Sequence, residues 1–132
     1  MPGKTLVDFC GKPLLLFQIE LIQKYNLGFE IVVATSSNKL DQKIVNLCYD
    51  NNIKCVVGNE NNVFSRFCKV VEKFNFDHIL RLTADNPLVS YSILKHLLSS
   101  HLNHKPDLTS TRFIRDDGVI KRKTPKGFSL DI

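Results

Sequence analysis

Asp85 stands in the turn Thr83-Ala84-Asp85-Asn86-Pro87, directly after an apolar segment at 78–84. A carboxylate at the carboxyl end of a buried strand, held by a proline turn, suits Mg²⁺, a hard cation satisfied by one or two carboxylates with substrate phosphates. The competing use of the same side chain is to cap the turn ahead of the next helix. Thr83 would line the same crevice. Pro2-Gly3-Lys4 sets a glycine with free backbone approach beside a cation, the elements of a phosphate cradle. Arg66 lies one turn into a helical pattern behind a Gly/Asn loop, placed either to reach an anion or to stand as a solvated charge.

Other chemistries lack their residues. There is no G-x-x-x-x-G-K-[ST] and no G-x-G-x-x-G, so ATPase and dinucleotide-dehydrogenase readings lose their main support. No serine sits in a nucleophile elbow. His78, His96, His101 and His104 show no metal-like pairing with Cys or Glu, and His101-x-x-His104 reads as a solvated helix end. Cys10, Cys48, Cys55 and Cys68 form no Cys-x-x-Cys pair. Three of them fall in apolar surroundings, where free thiols pack as small hydrophobes, and a reducing cytoplasm is the expected location.

These residues need elements to position them. Apolar spacing predicts helices over 13–25 (Leu15, Ile19, Ile22), 40–49 (Leu40, Ile44, Leu47, Cys48) and 63–74 (Val63, Phe67, Val70, Phe74). A further helix is capped by Ser90 and runs to about 102. Pro13 is placed at the first helical position of the first helix, where its missing N–H costs nothing. The runs at 30–35, 53–57 and 78–84 lack polar alternation and read as strands buried on both faces, which are usually parallel. Segments 107–114 and 126–132 are candidate strands around an Asp117-Gly118 turn. The alternation of helix and strand predicts an α/β fold, an open doubly wound and mostly parallel sheet. In such sheets ligands sit outside the carboxyl ends of the strands. That directs attention to Thr35-Ser36-Ser37-Asn38, Gly58-Asn59-Glu60-Asn61-Asn62 and Asp85-Asn86-Pro87.

Composition sets the outer limits. The 132 residues are 43% hydrophobic and 23% charged, which excludes disordered and collagen-like classes and leaves room for one domain. No apolar run approaches the roughly 18 residues of a membrane span, and no signal-peptide core follows Met1, so the expectation is a chain neither inserted nor secreted. The net charge is +5. Its one tight cluster, Lys121-Arg122-Lys123, has no interleaved aromatics of the kind that stack bases, so a nucleic-acid polymer is not the expected partner.

Taken together, these residues resemble the cytidylyltransferase family that makes CMP-activated sugars, including CMP-KDO and CMP-sialic acid synthetases. The spore-coat-polysaccharide type is the nearest branch. Pro2-Gly3-Lys4 resembles the end of the family's Arg-Leu-Pro-Gly-Lys loop, and Gly11-Lys12-Pro13-Leu14-Leu15 its Gly-Lys-Pro-Leu block. Ile31-Val32-Val33-Ala34-Thr35-Ser36 resembles its second strand. Gly58 and Arg66 bracket its Gly, acidic, Val-Leu-x-Arg segment. Arg81-Leu82-Thr83-Ala84-Asp85-Asn86-Pro87-Leu88 resembles Arg-Ile-Thr-Ala-Asp-Cys-Pro-Leu, and Pro125-Lys126-Gly127 heads the closing block.

The resemblance implies a Rossmann-like fold of the nucleotide-diphospho-sugar transferase type, as one incomplete domain over 1–132 lacking the usual first strand. It also implies a reaction, attack of a sugar-acid or related sugar hydroxyl on the α-phosphate of CTP with release of pyrophosphate, serving surface polysaccharide or glycan biosynthesis. By position, Gly3 and Lys4 would bind the triphosphate, Ala34, Thr35, Ser36 and Thr83 would lie near the nucleoside, and Arg66 would contact substrate or nucleotide. Asp85 would hold Mg²⁺. Where the family's closing block carries two acidic residues, this sequence has Ser129 and Asp131, leaving Asp131 as the second metal ligand. Lys4 and Asp85 would be the catalytic pair, and a homodimer is an implied assembly. Two other readings share most of these residues: a catalytically inactive remnant or scaffold of the same fold, and a nucleotidyltransferase using another NTP.

Overall fold

A computed structural model of the chain describes residues 3–110, 112–114 and 120–122. In chain order its elements are β1 (Asp8–Phe9), β2 (Lys12–Pro13), α1 (Leu14–Lys24), β3 (Val32–Ser36), α2 (Gln42–Asp50), β4 (Lys54–Gly58), α3 (Val63–Phe74), α4 (Tyr91–His104), β5 (Arg112–Ile114) and β6 (Ile120–Arg122). Single 3₁₀ turns occupy Lys4–Leu6 and Lys39–Asp41. The chain divides into two compact units, one made of the residues up to Leu6 with Gly28–Asp77, the other of Val7–Leu27 with the residues from His78 onward.

The first unit is built on a parallel pair. Strand β3 runs beside β4 in a register from Val32↔Lys54 to Ser36↔Gly58. Parallel neighbours require a crossover connection, and α2 supplies it. Helices α2 and α3 both pack against this pair. Cys48, Val56 and Val70 are its buried apolar side chains. Helix α3 occupies the predicted 63–74 because both ends are fixed. The Asn62 side chain accepts the Ser65 N–H at 2.9 Å, and Asn75, left-handed at φ 54°, donates its N–H to Val71 O at 2.7 Å. Strand β4 is not buried on both faces as its sequence suggests, since Val57 is exposed. Among the described residues it has one strand neighbour, so one side of the ladder is an edge. Leu40 is exposed too, because the 3₁₀ turn takes it off the apolar face of α2.

In the second unit, α1 turns Leu15, Ile19 and Ile22 inward as the spacing predicts. Pro13, however, is extended at ψ 136° and caps the helix instead of opening it, because it pairs with Asp8 in an antiparallel ribbon. That hairpin closes through Cys10 and Gly11, both at positive φ (56° and 82°), the backbone of a two-residue primed turn. Val89, Leu94 and Leu97 form the core of this unit, with Tyr25, Leu27, Leu80, Leu82 and Ile93 packed on it. Helix α4 runs to His104, and at its start the Ser90 hydroxyl meets that of Ser92 at 2.9 Å instead of capping an N–H.

His101 is not at a solvated helix end. It is buried, with Nδ1 at 2.9 Å from Thr109 Oγ1 and Nε2 at 3.2 Å from His78 Nδ1, so a polar ring is tolerated because both nitrogens are partnered. Segment 78–84 is not a strand: only Arg81 makes an isolated bridge, and a strand exists only where a neighbouring backbone continues the ladder. The described residues therefore hold one parallel pair and two antiparallel ribbons, the second with register from Arg112↔Arg122 to Ile114↔Ile120, in place of a continuous doubly wound sheet. The predicted 126–132 strand and the Asp117-Gly118 turn lie outside the described residues.

Candidate functional site

The parallel register ends at Ser36↔Gly58, which brings the loops after β3 and β4 side by side. Ser37 N–H donates to Gly58 O at 2.8 Å, and Asn38 Nδ2 donates to Glu60 Oε1 at 2.7 Å, tying one loop to the other. Ala34 is half-buried, whereas Thr35 and Ser36 are buried. The Ser36 hydroxyl donates to Asp41 Oδ2 at 2.5 Å and accepts the Asn38 N–H at 3.2 Å. Its hydrogen is therefore used in shaping the loop, as is the Asn38 side chain, whose Oδ1 also accepts the Leu40 N–H at 2.8 Å, and what the loop offers a ligand is its backbone. In the second loop Asn59 Oδ1 accepts the N–H groups of Asn61 and Asn62 at 2.8 and 3.1 Å, fixing the turn into α3.

Arg66 rises from α3 against this end of β4. A Cβ at position 58 would lie 2.7 Å from Arg66 Cγ, so glycine is required there to let the arginine stem pass. The Arg66 Nε is buried without a hydrogen-bond partner among the described residues. A buried, unpaired guanidinium donor is costly, which makes it a ready receptor for an anionic oxygen. Gly3, at φ 79°, and Lys4 belong to the same unit and are exposed on their 3₁₀ turn. Among the described residues Lys4 has no ion-pair partner, and no hydrogen bond joins it to the two loops.

Thr83 and Asp85 belong to the second unit. Asn86 N–H donates to Thr83 O at 3.3 Å, closing a turn whose third residue is Asp85. The Asp85 carboxylate is exposed and makes no hydrogen bond or ion pair among the described residues, so it is not used as a turn cap. The turn is instead held from α1. Gln18 Nε2 donates to Thr83 O at 3.0 Å and to Asn86 O at 2.6 Å. Sequence reasoning passed over Gln18, although a polar residue inside the Leu15, Ile19, Ile22 stripe is itself a signal that a partner must be present. The described residues contain no group of three or more His, Cys, Asp or Glu placed to hold a metal ion. Asp131 and Ser129 lie outside the described residues.

One further reactive group lies in the first unit. Cys48, buried at the end of α2, donates its S–H to Cys55 on β4, lowering the Cys55 thiol to about 7 with help from the Lys73 cation and against the effect of burial. The same bond, with burial, raises Cys48 far above the ordinary thiol range.

A family model described as cytidylyltransferase matches residues 1–124. Among curated proteins the chain is similar to an uncharacterised protein of Methanocaldococcus jannaschii, 30% identical over 114 residues that cover 86% of this chain and 47% of that protein. It is also similar to the spore coat polysaccharide biosynthesis protein SpsF of Bacillus subtilis, 33% identical over 113 residues, 83% of this chain and 47% of that one. Among solved structures, a cytidylyltransferase from Leptospira borgpetersenii shares the fold with a TM-score of 0.85 at 23% identity, over 99% of this chain and 53% of the other. CMP:2-keto-3-deoxy-manno-octonic acid synthetase complexed with CTP shares it with a TM-score of 0.65 at 16% identity, over 99% and 64%. The chain spans about half the length of the curated relatives it matches. No helix among the described residues is long and apolar enough to cross a membrane.

Proposed function

This chain belongs to the cytidylyltransferase family, and from that premise we propose that it transfers CMP from CTP to a sugar acid or related sugar, releasing pyrophosphate, in the biosynthesis of a surface polysaccharide or glycan. The named relatives support the direction: one serves spore coat polysaccharide biosynthesis, and one structural neighbour is a CMP-sugar-acid synthetase complexed with CTP. One observation carries the reading. Beside the paired loops at the carboxyl ends of β3 and β4, Arg66 holds a buried Nε with no partner among the described residues, in the region where α/β sheets take their ligands.

In this reading Gly3, Lys4 and Arg66 meet the phosphates, Ala34, Thr35 and Ser36 lie along the nucleoside with Thr83, and Asp85 holds Mg²⁺ with Asp131. Lys4 and Asp85 act on the reacting phosphate. The fit of Asp85 to Mg²⁺ rests on its free, exposed carboxylate on a hydrogen-bonded turn, since this ion takes one or two carboxylates and fills its remaining positions with water and phosphate oxygens. When bound, Mg²⁺ supplies charge neutralisation on the triphosphate. The protein's own residues supply position and fixed positive charge, which is most of what an in-line displacement at phosphorus requires. The β3, α2, β4 crossover is the repeating unit of a doubly wound sheet, and the proposal extends to a single nucleotidyltransferase domain in a cytoplasmic homodimer.

The test is competition among nucleotides. CTP should displace a fluorescent cytidine nucleotide at least tenfold better than UTP, GTP or ATP. Stronger displacement by UTP, GTP or ATP than by CTP would point to a nucleotidyltransferase using that other NTP, and no binding of any would favour a scaffold of the same fold.

A further inference from the structure

We propose that Gln18 is a positioning residue for the Asp85 carboxylate, acting on it through the backbone on either side; the inference rests on the reading of Asp85 as a Mg²⁺ ligand. Gln18 lies on α1, sixty-five residues from Thr83 in sequence, and is 4% exposed. A primary amide in an apolar stripe is expensive unless its hydrogens are used. Here one Nε2 group donates to two carbonyls, Thr83 O at 3.0 Å and Asn86 O at 2.6 Å. Those carbonyls bracket Asp85, one belonging to the residue two before it and the other to the residue after it. The Asn86 N–H to Thr83 O bond closes the same turn from within.

The consequence is an asymmetry around Asp85. Its flanking backbone is hydrogen-bonded to a helix, Asn86 is buried, and its own side chain is exposed without a partner among the described residues. An apolar residue at position 18 would leave the Asn86 carbonyl without this donor, so the amide contributes to stability, and beyond that it fixes the backbone on both sides of a carboxylate that has no partner among the described residues. A turn that must present a carboxylate to a cation gains from a clamp, because ligands for Mg²⁺ must be held near octahedral geometry and a loose turn spends binding energy on ordering itself.

The experiment is a double-mutant cycle on the purified chain with Gln18→Met, Asp85→Ala and the pair together. Methionine keeps the volume and length of glutamine and removes both donors. The readout is the Mg²⁺ concentration giving half of the CTP-dependent rise in melting temperature, with the melting temperature without ligand recorded for each variant. Gln18→Met should raise that Mg²⁺ midpoint at least tenfold, and should change it less than twofold once Asp85 is alanine. A Gln18→Met protein with a lowered melting temperature and an unchanged Mg²⁺ midpoint would overturn the inference while leaving the Asp85 reading intact. An Asp85→Ala protein with an unchanged midpoint would overturn the Asp85 reading, and the role of Gln18 with it. If Gln18→Met gives no cooperative melt, Gln18→Asn, one methylene shorter, withdraws the amide from the same carbonyls and must shift the midpoint in the same direction.

Discussion

Gly58→Ala tests the geometry of the β4 loop most sharply, because the added methyl has one neighbour to disturb. Its Cβ would stand 2.7 Å from Arg66 Cγ and 3.6 Å from Arg66 Cα and Cβ. Carbon atoms pack at roughly 3.5–4.0 Å, so the arginine stem must retreat by about 0.8 Å or more. Cγ is close to the helix backbone, and the movement therefore involves α3 itself. Overpacking of this kind costs about 1–3 kcal/mol. Gly58 does not need a left-handed backbone, so alanine also lowers the entropy of the unfolded chain and returns about 0.4–1 kcal/mol. The net expectation is a destabilisation of up to about 2.5 kcal/mol.

In an Arg66→Ala background the opposing Cγ is gone, and the same substitution should stabilise the chain by about 0.4–1 kcal/mol through the unfolded state. Arg66→Ala alone should be nearly neutral, because it removes a buried unpaired Nε along with the packing of the stem. Urea unfolding of the four proteins at a common m-value should give a coupling of about 1–3 kcal/mol between the two sites, the full overpacking cost. Additivity within about 0.5 kcal/mol would refute the close approach of Gly58 and Arg66.

Three further outcomes are expected. Lys4→Ala, at an exposed position with no ion pair among the described residues, should weaken CTP binding by more than tenfold without changing the melting temperature of the free chain, read by titration calorimetry and a thermal melt. Leu94→Ala, at a fully buried side chain in the core of the second unit, should cost about 2–5 kcal/mol in denaturant unfolding; a loss under 1 kcal/mol would mean that this core is not packed as described. Cys55, its thiol lowered to about 7, should be labelled by iodoacetamide with a half-maximal rate near that pH, and Cys48→Ala should move the midpoint upward by removing the S–H donor. Because the folded value is depressed from 9.0, the stabilisation is present above that ordinary value and lost as pH falls through about 7, so an unshifted midpoint in Cys48→Ala would contradict the thiol pair.

How much the sequence disclosed follows from what each element depends on. Helix α3 was legible to the residue because its boundaries are local: Asn62 before it, Asn75 after it and apolar spacing between. The β3 and β4 strands were legible from β-branched runs, and their parallel pairing from the helix between them. Segment 78–84 has the same kind of sequence yet forms no strand, since a ladder depends on a neighbour that composition cannot show. The β1–β2 hairpin was missed because Cys10-Gly11 carries only half of the usual turn signal and Pro13 reads as a helix start.

The same division holds at the site. The two loops could be picked out by residue type after a strand, and Asp85 by residue type in a proline turn, although the segment before it forms no strand. Gln18, the Ser36–Asp41 bond, the Asn38–Glu60 bridge and the contact of Gly58 with Arg66 are long-range or cross-loop facts, and only the polar break in the α1 stripe pointed to any of them.

If, as proposed, this chain binds CTP with Mg²⁺ through Asp85, the melting temperature of the purified chain with CTP and Mg²⁺, with UTP and the Asp85→Ala protein alongside, reports it directly. A ligand that binds only the folded state at a hundred times its Kd adds about 2.7 kcal/mol of stability. The expected result is a rise with CTP and Mg²⁺ that UTP does not match and that Asp85→Ala reduces and shifts to higher Mg²⁺. A cooperative melt that CTP and Mg²⁺ leave unmoved, or a rise that Asp85→Ala preserves in full, would contradict it.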